Sequence, residues 1–414
     1  MTLPMSRFLF TWEIGSGLGH TVPLAQVAEP LLARGHEVHF ALRDLSSARV
    51  ALGALADAPR VRLWQAPIWQ LKAQGLPESL SYAELLFRAG YLDAKRLHGL
   101  VQGWSSLLDT VQPDLLLADH SPTALLAARG RPLRRALIGG GFFQPPAVSP
   151  MPGFRDEFAV PPKRLTDAER LAVMTCNAVL QALGQAPLAH LHDLLDADEL
   201  FLVTWPELDH YSTGPQGRTA GLRGVRYWGP LPAREHGAAP VWPAGEGPQL
   251  LAYLKAEYKA LDVVLQQLAK APFRTLAYVA GMGGAPQQRA QSARLRFSVG
   301  PVAMREALTQ ADAVLCHSGA GTISAALQAG VPLLLLPMQA EQMLLSRRVV
   351  ATGAGKMLGE AQVPTQLRTW VADGVASPGL RQQAQALAAR HPPTEFGSVA
   401  ERVAERCEAL AAAL

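Results

Sequence analysis

The sequence predicts an α/β protein built from two similar halves, each around a parallel sheet, and three observations lead to that class. Short, wholly apolar runs recur along the 414 residues, each followed by a turn and a stretch with helical spacing, as in parallel strands buried on both faces. The first strand, helix and strand fit within about 35 residues, the length of a βαβ unit. A proline- and glycine-rich stretch then separates two such series: nine of the 21 residues from Trp228 to Pro248 are proline or glycine, the composition of a linker.

Phe8 to Trp12 reads as the first strand and runs into a glycine-rich turn, Gly15 to His20. Leu24, Val27, Ala28, Leu31 and Leu32 follow at helical spacing, and Arg34-Gly35 ends that helix. Glu37 to Leu42 is the next strand. Leu115 to Ala118 and Ala136 to Ile138 repeat the pattern around a helical stretch, Thr123 to Arg129, and Leu200 to Val203 is a late strand of the same half. Pro145 to Pro162 is proline-rich and reads as a loop over a cleft. Beyond the linker, Leu250 to Leu254 opens the second series, and Leu276 to Val279, Ala313 to Cys316 and Leu333 to Leu336 continue it. Val399 to Leu414 is an alanine-rich amphipathic helix. The expected divisions are 1–231, a linker at 232–248, 249–390 and a terminal segment at 391–414. Two α/β halves joined in this way imply a cleft between them, where ligands of such folds bind.

Charge and cysteine usage exclude several classes. With 38 Lys+Arg against 34 Asp+Glu the net charge is only +4, and no basic stripe interleaved with aromatics is present, so no nucleic-acid partner is expected. Cys176, Cys316 and Cys407 lie far apart without C-x-x-C spacing, which disfavours a disulfide framework or a cysteine-rich zinc site and fits a reducing cytoplasm. The opening residues lack the basic and apolar regions of a secretory signal. The most apolar stretch, Val331 to Met338, holds two prolines and falls far short of the roughly 18 apolar residues of a span. A soluble, cytoplasmic protein with at most peripheral membrane contact is expected.

The strongest chemical signal is the strand Ala313 to Cys316 running into His317-Ser318-Gly319-Ala320-Gly321-Thr322, with a helix expected over Ile323 to Ala329. Backbone N–H groups at a helix start bind phosphate, and glycines let it approach; a tight strand-to-helix turn without a ligand has the same pattern. No Gly-Lys-Ser/Thr follows, so it is not a Walker loop. Other patterns carry less. Asp196-Ala197-Asp198 precedes an apolar strand and reads as a solvated turn. Gly15, Gly17 and Gly19, with Asp44 after the second strand, leave a dinucleotide loop open, although the third glycine comes one residue early. His190 and His192 lack a third metal ligand nearby. Trp64, Trp69, Phe87, Tyr91, Trp104, Phe142 and Phe143 read chiefly as core, some of them as the wall of an apolar pocket.

Taken together, His317 to Thr322, then Ala329-Gly330-Val331-Pro332, the apolar strand, Pro337 and Glu341-Gln342 resemble the donor site of nucleotide-sugar glycosyltransferases, with a spacing similar to the UDP-glucuronosyltransferases and the macrolide and antibiotic glycosyltransferases. Thr352-Gly353-Ala354-Gly355 fits the end of that pattern. Gly19-His20-x-x-Pro23, Ala33 to Val38, Pro113 to Asp119 and Tyr227 to Leu231 are similar to the other half of the same family. The resemblance implies a GT-B fold, two Rossmann-like domains facing a cleft, with the C-terminal helix returning to the first. It implies that the first domain binds the acceptor and the second a nucleotide sugar. His20 would be the base, Asp119 its orienting acid, and His317, Ser318, Gly319, Ala320, Gly321, Thr322, Glu341 and Gln342 the donor site. The activity implied is inverting transfer from a UDP- or dTDP-hexose, as co-substrate, to a small-molecule or lipid-like acceptor, with neither metal nor resident cofactor. Ala325 stands where the family often has a ribose-binding Glu, Ser318 replaces Gly, Glu341 replaces Asp, Leu345 replaces Asn, and Lys255-Ala256-Glu257 replaces a Gly-Ser loop. Two alternatives therefore stay open: a non-catalytic nucleotide-sugar-binding partner and a GT-B-like UDP-sugar 2-epimerase.

Overall fold

The computed structural model describes residues 5–413 apart from 16, 18, 71–74, 155–159, 213–217, 219–224, 232–236, 285–289 and 393–397. The chain forms two compact units, Met1–Leu231 with Phe396–Leu414, and Pro232–Glu395.

The first unit runs β1 (Arg7–Trp12), α1 (Thr21–Ala33), β2 (Glu37–Leu42), α2 (Leu45–Leu52), β3 (Val61–Gln65), α3 (Tyr82–Phe87), α4 (Ala94–Val111), β4 (Leu115–Asp119), α5 (Pro122–Ala128), β5 (Arg134–Gly139), α6 (Pro162–Ala182) and β6 (Glu199–Leu202). Its six strands are parallel in the order β3-β2-β1-β4-β5-β6. Five of the six residues of β1 and all five of β4 are buried, because helices cover both faces of such a sheet. Asp114 sets the register of the two central strands: its carboxylate accepts the Arg7 N–H at 2.7 Å, and its own N–H donates to the Arg7 carbonyl at 2.8 Å.

The second unit runs β7 (Gln249–Lys255), α7 (Leu261–Ala269), β8 (Arg274–Ala280), β9 (Leu295–Phe297), α8 (Met304–Gln310), β10 (Ala313–Cys316), α9 (Ala320–Gln328), β11 (Leu333–Leu335), α10 (Ala340–Ala351), β12 (Gly355–Met357), α11 (Val363–Val375) and α12 (Pro378–Arg390). Its strands lie in the order β12-β11-β10-β7-β8-β9, the connectivity of the first sheet repeated. The register device is repeated as well, with Asp312 taking the Gln249 N–H at 2.7 Å and returning its own N–H at 2.7 Å. Of the stretch expected as a linker, 232–236 lies outside the described residues, while Ala238 is bonded to Pro301 and Ala303 within this unit.

The last helix, α13 (Val399–Ala411), belongs to the first unit. Val403, Ala404, Cys407 and Leu410 join Phe8, Phe10, Leu24, Val27 and Leu31 in one core. Among the described residues no helix is long and apolar enough to cross a membrane.

The strand-to-helix turn after β10 differs from expectation. The helix starts at Ala320, not Ile323, so Ala320, Gly321 and Thr322 form its first turn and the loop is only His317 to Gly319. Short Ala, Gly and Thr side chains hide the helix start from periodicity. Asp44, a possible ribose-binding acid in the dinucleotide reading, is the N-cap of α2, accepting from Ser46 N and Ser47 N.

Candidate functional site

In each sheet the strand order reverses direction at its centre, between β1 and β4 in the first unit and between β10 and β7 in the second. At such a point the connections leave on opposite faces and open a crevice at the carboxyl ends of the strands. His20 and Asp119 fall at the first of these places and His317 to Thr322 at the second, whereas Glu341 and Gln342 lie on α10, after β11.

In the first unit His20 is the N-cap of α1, in the loop after β1, and Asp119 ends β4. The chain brings them together across 99 positions: His20 Nδ1 lies 3.0 Å from Asp119 Oδ1, and both side chains are buried. A carboxylate here accepts, so Nδ1 carries the proton and Nε2 presents its lone pair. Burial pushes the Asp119 carboxyl up, and His20 pulls it back down. Trp12 stacks on the imidazole at 5.2 Å and Phe143 tilts against it at 5.6 Å. Gly15, with φ at +110°, passes so close that a Cβ there would collide with His20 Nε2. Residues 16 and 18 of this loop lie outside the described residues.

Three further residues around this pair carry no signal in the sequence beyond their neighbours. His120 follows Asp119 with φ at +47°, an uncommon conformation for a residue with a side chain. Its Nδ1 donates to the Ile14 carbonyl at 3.1 Å, its ring stacks on Phe143 at 3.7 Å, and its buried Nε2 has no hydrogen-bond partner. Burial, then the nearby His20, holds its pKa well below the usual range, so it is neutral. Glu13, directly after β1, turns inward to accept from Thr123 N at 2.9 Å and from Thr123 Oγ1, while Tyr91 bonds Thr123 Oγ1 at 3.0 Å. Burial raises the Glu13 carboxyl to about 7 against these hydrogen bonds. The Tyr82 hydroxyl is buried without a partner, and its ring lies 5.9 Å from that of His120. Phe142 and Phe143 are half-buried beside these groups, whereas Tyr91 and Trp104 are core. The loop carrying both phenylalanines is pinned by Arg218, which donates to the Gly141 and Gln144 carbonyls and pairs with buried Asp209 at 2.6 Å.

In the second unit His317 follows β10. Its Nδ1 donates to the Leu336 carbonyl at 2.8 Å, and its Nε2 is buried without a partner. Burial lowers its pKa, with the Leu336 carbonyl opposing. Ser318, at φ +59°, bonds Ser346 at 2.6 Å, and Ser346 passes its own proton to the Gln342 carbonyl at 2.7 Å. The Ser318 hydroxyl proton is therefore spent tying the turn to α10. Gly319 is the N-cap of α9 and provides no side-chain cap; a Cβ there would meet open space. Ala320 is exposed, and Gly321 and Thr322 are half-buried, so the first N–H groups of α9 open outward. Glu341 is half-buried in the first turn of α10, and Gln342 is buried with Oε1 accepting the Met338 N–H at 2.8 Å. Ala325 is buried in α9.

Elsewhere, His190 and His192 stack at 5.2 Å, and no group of three or more His, Cys, Asp or Glu among the described residues is placed to hold a metal.

Comparison with known proteins bears on the fold and on part of the second half of the sequence. Residues 286–410 match the model of the erythromycin biosynthesis protein CIII-like C-terminal domain. No curated protein shows a significant match. Among solved structures, the calicheamicin glycosyltransferase CalG4 superposes with a TM-score of 0.69 at 19% identity, over 99% of this chain and 98% of its own. The spinosyn rhamnosyltransferase SpnG, complexed with spinosyn aglycone, gives 0.63 at 19% over 97% and 100%. The glycosyltransferase SsfS6 of Streptomyces sp. SF2575, complexed with thymidine diphosphate, gives 0.58 at 20% over 97% and 99%. The chain thus has the GT-B fold of the macrolide and antibiotic glycosyltransferases, and residues 286–410 are similar in sequence to the erythromycin CIII-like C-terminal domain.

Proposed function

We propose that the protein is an inverting glycosyltransferase that moves a hexose from a nucleoside diphosphate sugar to a hydroxyl of a small organic acceptor. The observation that carries this reading is the buried His20–Asp119 pair at the centre of the first sheet. His20 Nε2 takes the proton of the acceptor hydroxyl while that oxygen forms its bond to the anomeric carbon; the bond from that carbon to the diphosphate breaks on the opposite side. Asp119 keeps the imidazole in the required tautomer and stabilises the imidazolium. The leaving diphosphate is held by the open N-terminus of α9, whose N–H groups and dipole favour an anion. This assistance requires no metal. A thymidine diphosphate complex and an aglycone complex among proteins of the same fold support a nucleotide donor and a small-molecule acceptor. The aromatic residues around His20 favour an acceptor with an apolar body.

A second reading draws on Ala325, which brings no carboxylate to a ribose: a binding partner would show affinity for nucleotide sugars without turnover. Calorimetric titration with UDP, dTDP, GDP and their glucose conjugates, without and then with divalent metal, selects the donor. His20→Ala is then expected to cut transfer by about 10²–10⁴-fold, the usual contribution of a general base, with nucleotide affinity unchanged. Undiminished transfer would remove His20 from the role of base.

A further inference from the structure

The turn after β10 has a buried polar neighbour that its sequence pattern does not show. In the first unit the two strands at the reversal point supply His20 and Asp119 from the segments at their carboxyl ends. In the second, the segment after β10 supplies His317, and the segment after β7 supplies Tyr258. The two rings lie 4.6 Å apart with planes 51° from parallel. Each residue is 3% exposed, and the Tyr258 hydroxyl and His317 Nε2 are both buried without a hydrogen-bond partner. Buried polar atoms are nearly always paired, and leaving one unpaired is costly. Two such atoms belong to rings packed against each other here, and His317 leads into a helix start that no side chain caps. The rest of the segment offers little else to an anion. Ala256 has no side-chain donor, Glu257 repels, the Lys255 ammonium pairs with Glu257 at 3.4 Å, and the exposed Lys259 ammonium lies 4.0 Å from Glu360.

We propose that Tyr258 is a diphosphate-binding residue, its hydroxyl donating to a phosphate oxygen of the nucleotide held at the start of α9 beside His317. The inference rests on the donor-site reading above and adds to it a residue that neither the turn after β10 nor the Glu341-Gln342 pair reveals. The hydroxyl is uncharged, so it adds a donor without adding another charge to neutralise. Its O–H can donate to an acceptor-only group such as an ionised phosphate, and its place after β7 puts the contact on the opposite side of the reversal point from His317.

The experiment is calorimetric titration of the wild-type chain and Tyr258→Phe with UDP, dTDP and the corresponding monophosphates, alongside thermal melts. Phenylalanine fills the same volume and removes only the unpaired oxygen. Expected is a loss of about ten-fold or more in diphosphate affinity, the weight of a hydrogen bond to a charged group, with monophosphate affinity changed less than about two-fold and the melting temperature unchanged or raised. Unchanged diphosphate affinity in the variant overturns the proposal. So does an equal loss for mono- and diphosphates accompanied by a lower melting temperature, which marks a merely structural tyrosine. If the wild-type chain binds no nucleotide, the donor-site reading itself falls and this inference with it. Binding by the wild type with no effect of the substitution falls on Tyr258 alone.

Discussion

Three buried histidines, His20, His120 and His317, each turn Nδ1 toward an oxygen of the fold, and the kind of oxygen sets what Nε2 can do. His20 faces the Asp119 carboxylate, which stabilises the ring once a proton arrives at Nε2. His120 and His317 face main-chain carbonyls, of Ile14 and Leu336, and burial keeps both rings neutral. A neutral His317 with its proton on Nδ1 offers a diphosphate only a lone pair. On the proposed donor-site reading it becomes a donor to the anion by taking up a proton at Nε2, so nucleotide binding should raise its pKa and consume a proton. The free-state pKa lies below the ordinary 6.5, with Lys255 lowering it and Glu257 raising it among nearby charges. Affinity should therefore fall as pH rises above the free-state value, by at most about ten-fold per pH unit, and level off above the bound-state value. UDP-glucose is the suitable probe because its phosphodiester groups do not titrate in this range. Calorimetry in two buffers of different ionisation heat should show proton uptake near pH 7 with the wild type and none with His317→Gln. Equal proton counts for the two would place the anion away from His317.

At the scale of elements, the two sheets repeat a device: an Asp before the second central strand, Asp114 or Asp312, fixes register, and a residue of positive φ follows that strand, His120 or Ser318. The first unit adds Glu13, which reaches from the end of β1 to the first turn of α5 and holds the loops at the ends of β1 and β4 together. Its carboxyl titrates near 7 in the folded chain against 4.5 ordinarily. The folded state thus binds more protons than the unfolded one between those values, and stability falls as pH rises from about 4.5 to 7, by about 3 kcal/mol at most. Glu13→Gln should flatten that part of the profile in urea unfolding at pH 5 and 7.5; a slope equal to wild type would exclude Glu13 as its source. How much of this was legible depended on burial. Central strands such as β1, β4, β10 and β11 are continuous apolar runs and are visible in the sequence. β3, β9 and β12 are not, because each lies at a sheet edge and mixes buried with partly buried or exposed residues. His20, Asp119 and His317 stood out through resemblance and through their place at strand ends. Glu13, His120 and Tyr258 did not, since an inward-turned carboxyl or an unpaired Nε2 is created by tertiary packing and has no spacing of its own.

For the molecule as a whole, the chain's path makes the two units unequal. Pro232–Glu395 is one continuous segment, whereas the first unit is completed only by residues some 165 positions further on. What α13 contributes is chiefly apolar: Val403, Ala404 and Cys407 are wholly buried against α1 and the sheet, where a buried valine contributes roughly 1.5–3 kcal/mol and a smaller side chain about 0.8 kcal/mol per buried carbon. Polar ties locate the helix. Ser6 N–H occupies His36 Nδ1, so His36 Nε2 donates to Glu408 at 2.7 Å; Arg34 joins the same carboxylate at 2.6 Å, and Arg402 donates to the Trp228 carbonyl at 2.6 Å. Domains are stable by only about 5–15 kcal/mol, so truncation before Val399 should remove most of the first unit's margin and leave the second unit's own. Six of the eight tryptophans, from Trp12 to Trp228, lie in the first unit, so fluorescence reports it preferentially while calorimetry reports both. The truncated chain should lose its fluorescence-detected transition, or show it at least about 10 °C lower, and keep a calorimetric transition for Pro232–Glu395. Glu408→Ala strips a carboxylate from the buried His36 N–H and from half-buried Arg34, and should cost about 1–3 kcal/mol, the penalty of a buried donor left unpaired, again in the fluorescence-detected transition. If truncation shifts neither transition, the packing of α13 contributes nothing to the first unit; if both move together, the two units unfold as one.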